Sequence, residues 1–237
     1  MMSNTSSGGE PGGQETAVEA AVRALREGKP VVIPTDTVYG LCANAHRERP
    51  VARLARLKGR PEGQPVALVA AELDAILDAV PELRGRAAVT ARALLPGPFT
   101  LVVPNPARRF RWLSGARPDT LGIRVPELPE PARLVVGRAG VVAATSANLH
   151  GGPDPRRLED VPEEIRTACA ALLDAGELPG TPSTVIDLTG HEPAVLREGA
   201  VPAADALTRI AALAERGRER GGRGEGVRPT SEGRGLR

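Results

Sequence analysis

Hydrophobic residues along this chain fall into helical and extended patterns that alternate from one end to the other. From Glu15 to Glu27 the apolar positions Val18, Ala21, Val22 and Leu25 recur at helical spacing, and Gly28 stands where a helix C-cap belongs. The run Val31 to Ile33 follows as a buried strand. Pro50 to Leu57 is predicted to form a short helix ending in the basic turn "KGRPEGQP", and "VALVA" (66–70) a second buried strand. Helices are expected over Leu73 to Val80 and Glu82 to Leu95, and a strand from near Phe99 in "PGPFTLVVP". A Pro- and Arg-rich loop (107–118), the strand "TLGIRVP", a helix near Pro131 to Arg138 and the strand Val141 to Thr145 come next. A helix over Glu163 to Leu173, the strands "STVIDL" and "AVLR", and a helix over Pro202 to Leu213 complete the pattern.

Helices interleaved with short apolar strands predict an α/β fold, a twisted sheet flanked by helices. The turn at Gly190 leaves no room for a crossover helix between the last two strands, so they should pair antiparallel and the sheet should be mixed. Residues 1–13 and 214–237 contain little that could be buried and are expected to be disordered, leaving one domain over 14–213.

Composition sharpens this outline. Aromatic residues make up 2% of the 237, so the core has to be built from Val, Leu, Ile and Ala. Net charge is +2, yet the tail from Glu215 carries seven Arg and four Glu, leaving 24 cationic against 25 anionic residues elsewhere. A basic Arg/Gly tail can touch RNA electrostatically, whereas a near-neutral folded part argues against a pure RNA-binding module. Cys42 and Cys169 lie far apart in no metal-ligand spacing, and no leader or long apolar run occurs. A reduced, cytoplasmic protein without a membrane segment is expected. Only two lysines, Lys29 and Lys58, stand among 29 arginines, which makes each surviving lysine mildly informative.

Candidate chemistry gathers where strands end, the usual place for ligands in α/β sheets. In "PTDTVYG" a β-turn accounts for Pro34, Asp36 and Gly40 but leaves Thr37 and Tyr39, the only tyrosine, unexplained. "KGRPEGQP" could be a helix C-terminus complementing the helix dipole, or a phosphate clamp of a point-charge ammonium and a planar guanidinium. "TSANLHGG" could cap a turn, or offer hydroxyl, amide and backbone N–H groups to a phosphate or sugar. Arg124, flanked by Ile123 and Val125 on an apolar strand, needs an anionic partner, either a structural carboxylate such as Asp187 or a substrate carboxylate. His46, His150 and His191 are scattered, and neither common nucleotide fingerprint occurs. The residues by themselves therefore point to a cleft for an anionic small molecule, with nucleotide, sugar phosphate and amino acid all open.

Taken in order, "PTDTVYGL" (34–41), "KGRPEGQP" (58–65), "PGPFTLV" (96–102), "GIRVP" (122–126), "TSAN" (145–148), "PSTVID" (182–187) and "LREGA" (196–200) resemble the YrdC/TsaC family of L-threonylcarbamoyladenylate synthases. The resemblance implies a mixed α/β domain with a deep concave face. It further implies joining of L-threonine, bicarbonate and ATP into threonylcarbamoyl-AMP with release of pyrophosphate. A threonylcarbamoyl transferase complex would then modify tRNA beside the anticodon, and Mg2+ would accompany ATP. By the same resemblance, Lys58, Arg60, Ser146 and Asn148 are catalytic and contact ATP, as do Thr120 and Arg197, while Thr35, Arg124 and Ser183 hold threonine. No metal ligand is assigned to the protein. His150 departs from the serine usual in the family at that place, and the chain resembles the short, single-domain form. The rivals weighed are a non-catalytic RNA-binding module of the same fold and the carbamoyl transfer of hydrogenase maturation, whose proteins carry cysteine-rich zinc motifs that this sequence lacks.

Overall fold

The structure, a computed structural model, describes residues 11–61 and 63–221, and their side chains except at 11–16, 214 and 216–221. Helix α1 (Pro11–Arg26) leads through Gly28, at φ +79°, into β1 (Val31–Ile33), and β2 (Gly40–Asn44) folds back on β1 as an antiparallel hairpin. Helix α2 (Glu48–Leu57), β3 (Ala67–Val69), α3 (Leu73–Ala79), α4 (Gly85–Leu94), β4 (Phe99–Pro104) and β5 (Thr120–Arg124) follow. The chain continues through α5 (Glu130–Ala139), β6 (Val142–Ser146), α6 (Glu163–Ala168), β7 (Ala171–Leu172), β8 (Thr184–Asp187), β9 (Ala194–Arg197) and α7 (Ala203–Gly221).

All nine strands join one mixed sheet in the order β7-β1-β2-β6-β3-β5-β4-β8-β9, with β8 and β9 antiparallel as expected. Period-2 alternation decides what each face does. Phe99, Leu101 and Val103 of β4, Leu121 and Ile123 of β5, and Ile186 of β8 point into the larger core cluster. That cluster also takes in Leu54 of α2, Ile76 of α3, Ala91 and Leu94 of α4, and Ala206 and Ile210 of α7. On the opposite face, α1 and α5 cover β7, β1, β2, β6 and β3, through Val22, Leu25, Val135 and Val136. The rest of that face stays open: Thr100 and Val102, Thr120, Gly122 and Arg124, and Val185 look onto a cavity. Each aliphatic side chain moved fully into the core contributes about 1.5–3 kcal/mol, so helices hold the sheet on both faces and leave only the β5-β4-β8 part of one face free for a ligand.

Three expectations need correction. The helix expected over Glu163 to Leu173 stops at Ala168, and Ala171–Leu172 forms β7, which pairs parallel with β1. Residues Gly40 to Asn44 form a strand that the sequence did not announce. Helix α7 continues to Gly221, into the stretch expected to be disordered from 214, and α1 starts at Pro11; residues 1–10 and 222–237 lie outside the described residues.

Candidate functional site

The β1–β2 turn is organised by one hydroxyl. Thr35 Oγ1 accepts from the amides of Thr37 (3.2 Å) and Val38 (3.3 Å), donates to the Val38 carbonyl (2.7 Å), and lies 3.0 Å from Thr37 Oγ1. Thr35 also lines the cavity, so the turn explanation and the wall explanation are both true of it. Tyr39 is fully buried and does not line the cavity. Its hydroxyl lies 2.7 Å from Asp174 Oδ1 and 2.9 Å from the Gly176 carbonyl, and accepts from the Ala175 amide at 3.0 Å. Burial, reinforced by the Asp174 carboxylate, pushes the phenol up to about 12. Tyr39 therefore braces the turn from behind.

Arg124 finds its anion in this same turn. Nη2 donates to Asp36 Oδ1 at 2.5 Å and lies 2.6 Å from Thr37 Oγ1, while Asp36 Oδ2 accepts the Glu127 amide at 3.1 Å. The structural partner is thus Asp36 and not Asp187, which pairs with Arg117 at 3.1 Å. Desolvation pulls Arg124 downward, Asp36 opposes it, and the guanidinium stays charged. Arg124 Nε is buried with no hydrogen-bond partner among the described residues, so the guanidinium is only partly satisfied.

Lys58 occupies the C-cap of α2, yet its ammonium does not serve that helix. Nζ donates to the carbonyls of Ser146 (2.5 Å) and Asn148 (2.7 Å) and to Asn148 Oδ1 (2.8 Å), which engages all three N–H bonds. Burial first, and then the neighbouring Arg60, bring it down to about 8. The tie is reciprocal, because the His150 amide donates to the Lys58 carbonyl at 2.7 Å. Ser146 Oγ donates to Asn148 Oδ1 (2.6 Å), and Asn148 Nδ2 to the Gly152 carbonyl (2.7 Å). Arg60 is held within its own loop by Gln64 Oε1 and the Pro65 carbonyl, and its side lines the cavity. Lys58 and Asn148 shape this loop pair from beneath the wall, whereas Arg60 and Ser146 belong to the wall itself.

On the far side, Thr120 Oγ1 donates to the Arg117 carbonyl (3.0 Å), Ser183 Oγ lies 2.8 Å from Thr100 Oγ1, and Arg197 Nη2 donates to the Ser183 carbonyl (2.7 Å). The cavity so enclosed measures about 520 Å3 and has an aliphatic floor that includes Val69, Val102, Ala144 and Val185. The lining guanidinium residues are Arg60, Arg117, Arg124 and Arg197. Arg117, Thr100 and Asp154 also line it and escaped the sequence reading; Arg117 sat in a loop with no strand pattern, and Asp154 between prolines that suggested only a turn. Such a space can take one multiply charged anion together with a small polar molecule.

The Sua5/YciO/YrdC family model, described as "Telomere recombination", matches residues 23–199. A threonylcarbamoyl-AMP synthase of Halorhodospira halophila is 39% identical over 165 residues, 70% of this chain and 84% of that protein. A threonylcarbamoyl-AMP synthase of Pyrococcus abyssi is 36% identical over 190 residues, 80% of this chain but 56% of that longer relative. The crystal structure of P. abyssi Sua5 complexed with L-threonine superposes with a TM-score of 0.71 at 34% identity, covering 81% of this chain and 57% of that one.

Proposed function

Because this chain belongs to the Sua5/YciO/YrdC family, we propose that it synthesises L-threonylcarbamoyl-AMP from L-threonine, bicarbonate and ATP, releasing pyrophosphate. The amine of threonine takes up CO2, formed from bicarbonate with loss of water, and loses a proton to give a carbamate. A carbamate oxygen then forms a bond to the α-phosphorus of ATP as the bond to the pyrophosphate oxygen breaks. No covalent enzyme intermediate is required, so holding two reactants in line and stabilising charge supply the catalysis.

What supports this reading is that one cavity joins both sets of residues on the open face of a single sheet. Arg60 and Ser146, backed by Lys58 and Asn148, face the phosphates, with Thr120 and Arg197 at the rest of the nucleotide. Thr35, Arg124 and Ser183 receive threonine. Since Asp36 already balances much of the Arg124 charge, the threonine carboxylate is recognised by hydrogen-bond geometry more than by a bare cation. Mg2+ accompanies ATP and offsets charge on the phosphates. By the usual coordination of Mg2+, the phosphates and water supply most of its ligands. The product passes to a threonylcarbamoyl transferase complex acting on tRNA in the cytoplasm; no helix of the described structure is long and apolar enough to cross a membrane.

The test is direct. Purified protein supplied with ATP, bicarbonate and L-threonine should release pyrophosphate, and leaving out threonine should stop the release; release that ignores threonine would sink the assignment.

A further inference from the structure

Among the described residues lining the cavity, Asp154 is the one carboxylate, set among guanidinium groups. It is half-buried and forms no hydrogen bond or ion pair with a described residue, although it lies near enough to Lys58 for its charge to favour the ammonium. Its position is nevertheless fixed. The Tyr39 amide donates to the Pro155 carbonyl at 3.0 Å and Asn148 Nδ2 holds the Gly152 carbonyl at 2.7 Å, while the rings of Pro153 and Pro155 lock φ on both sides. A carboxylate without a described partner, in the same cavity as Arg60 and Ser146, is in the wrong place for binding a polyphosphate directly. Like charges at contact distance repel, and more strongly where water is excluded.

The conflict disappears if a cation sits between them. We infer that Asp154 is the protein's own ligand to the divalent cation that travels with the nucleotide, binding it directly or through one of its waters. Magnesium is commonly held by one or two carboxylates together with substrate phosphates and retained waters, and a single Asp beside a triphosphate matches that donor set. This rests on the proposed nucleotide site and adds to it a residue that selects metal-bound over metal-free ATP.

The experiment measures ATP affinity by calorimetry with and without Mg2+, in the full chain and in Asp154→Asn and Asp154→Ala. In the unsubstituted protein Mg2+ should tighten ATP binding. In both variants that gain should shrink by about tenfold or more, the least expected of a group in a metal's coordination shells. Metal-free ATP should bind the variants at least as well as the parent, since the repulsion is gone, and melting temperatures should not move. With Mn2+ replacing Mg2+, the electron paramagnetic resonance spectrum of the protein–ATP–Mn2+ complex should differ between parent and Asp154→Ala. An unchanged Mg2+ gain would overturn the inference. So would a loss of ATP affinity equal with and without metal, which points to a hydrogen bond from the nucleotide instead, or a fall in melting temperature, which makes Asp154 structural. Failure of the unsubstituted protein to bind ATP under either condition would overturn the nucleotide site itself, a result distinguishable from all of these.

Discussion

Lys58 illustrates how much one side chain can carry. Its helix-end position invites the dipole explanation, worth about 0.3–1 kcal/mol, but the ammonium instead reaches the carbonyls of Ser146 and Asn148. Removing it would strand those acceptors beneath the cavity wall, at roughly 1–3 kcal/mol for each one left unsatisfied. Because burial lowers the ammonium to about 8 from its usual 10.5, pH acts on stability and on binding in opposite directions. The folded protein gives up this proton before the unfolded chain does, so the cost of a buried charge is fully present below about 8 and is relieved as pH rises toward 10.5. Binding of ATP, by contrast, should weaken through that range as a cation is lost. Calorimetry with ATP alone should therefore show affinity declining as pH passes about 8, and Lys58→Arg, charged throughout, should remove the decline. An unaltered decline in Lys58→Arg would assign it to another group.

At the level of elements, the parts with a strong period were legible and those shaped by partners were not. The strands in "FTLVV" and "TLGIR" were legible, and their burial alternates because each is covered on one side only. Strand β2 is almost wholly buried on both faces and begins at the hairpin itself, so it has no alternation to detect. The overextended α6 is a case of tertiary pairing overriding helical spacing: the Ala170 amide bonds the Pro30 carbonyl (2.9 Å) and that of Leu173 the Val32 carbonyl (2.9 Å), drawing the segment onto the edge of β1. Among site residues, Arg60, Ser146 and Arg124 stood out by type and place, and Thr35 through the family resemblance. The Asp36 partner of Arg124 did not, since a salt bridge across 88 residues leaves no local trace. Loops carry a comparable constraint at Gly115, which has φ +61° and sits where any Cβ would run into the backbone at Gly63 and Pro65. Gly115→Ala should push the Arg60 loop outward, lowering the melting temperature and weakening ATP binding together; a stability loss with ATP affinity intact would show that this contact does not set the position of Arg60.

At the scale of the whole molecule, every described residue lining the cavity falls between Ile33 and Arg197. Truncation after Gly221 should leave threonine-dependent pyrophosphate release unchanged within twofold, about 0.4 kcal/mol in free energy. A larger loss would give the tail a part in the reaction.

The same spread in sequence bears on when the protein becomes competent. Arg197, which clasps Ser183 at the cavity's far wall, is made long after the Thr35 turn opposite it. At about 5–20 residues per second, a ribosome needs on the order of ten to thirty seconds to travel between them. Until then the wall that Arg197 and Ser183 form is missing from the nascent chain, and the cavity cannot be enclosed.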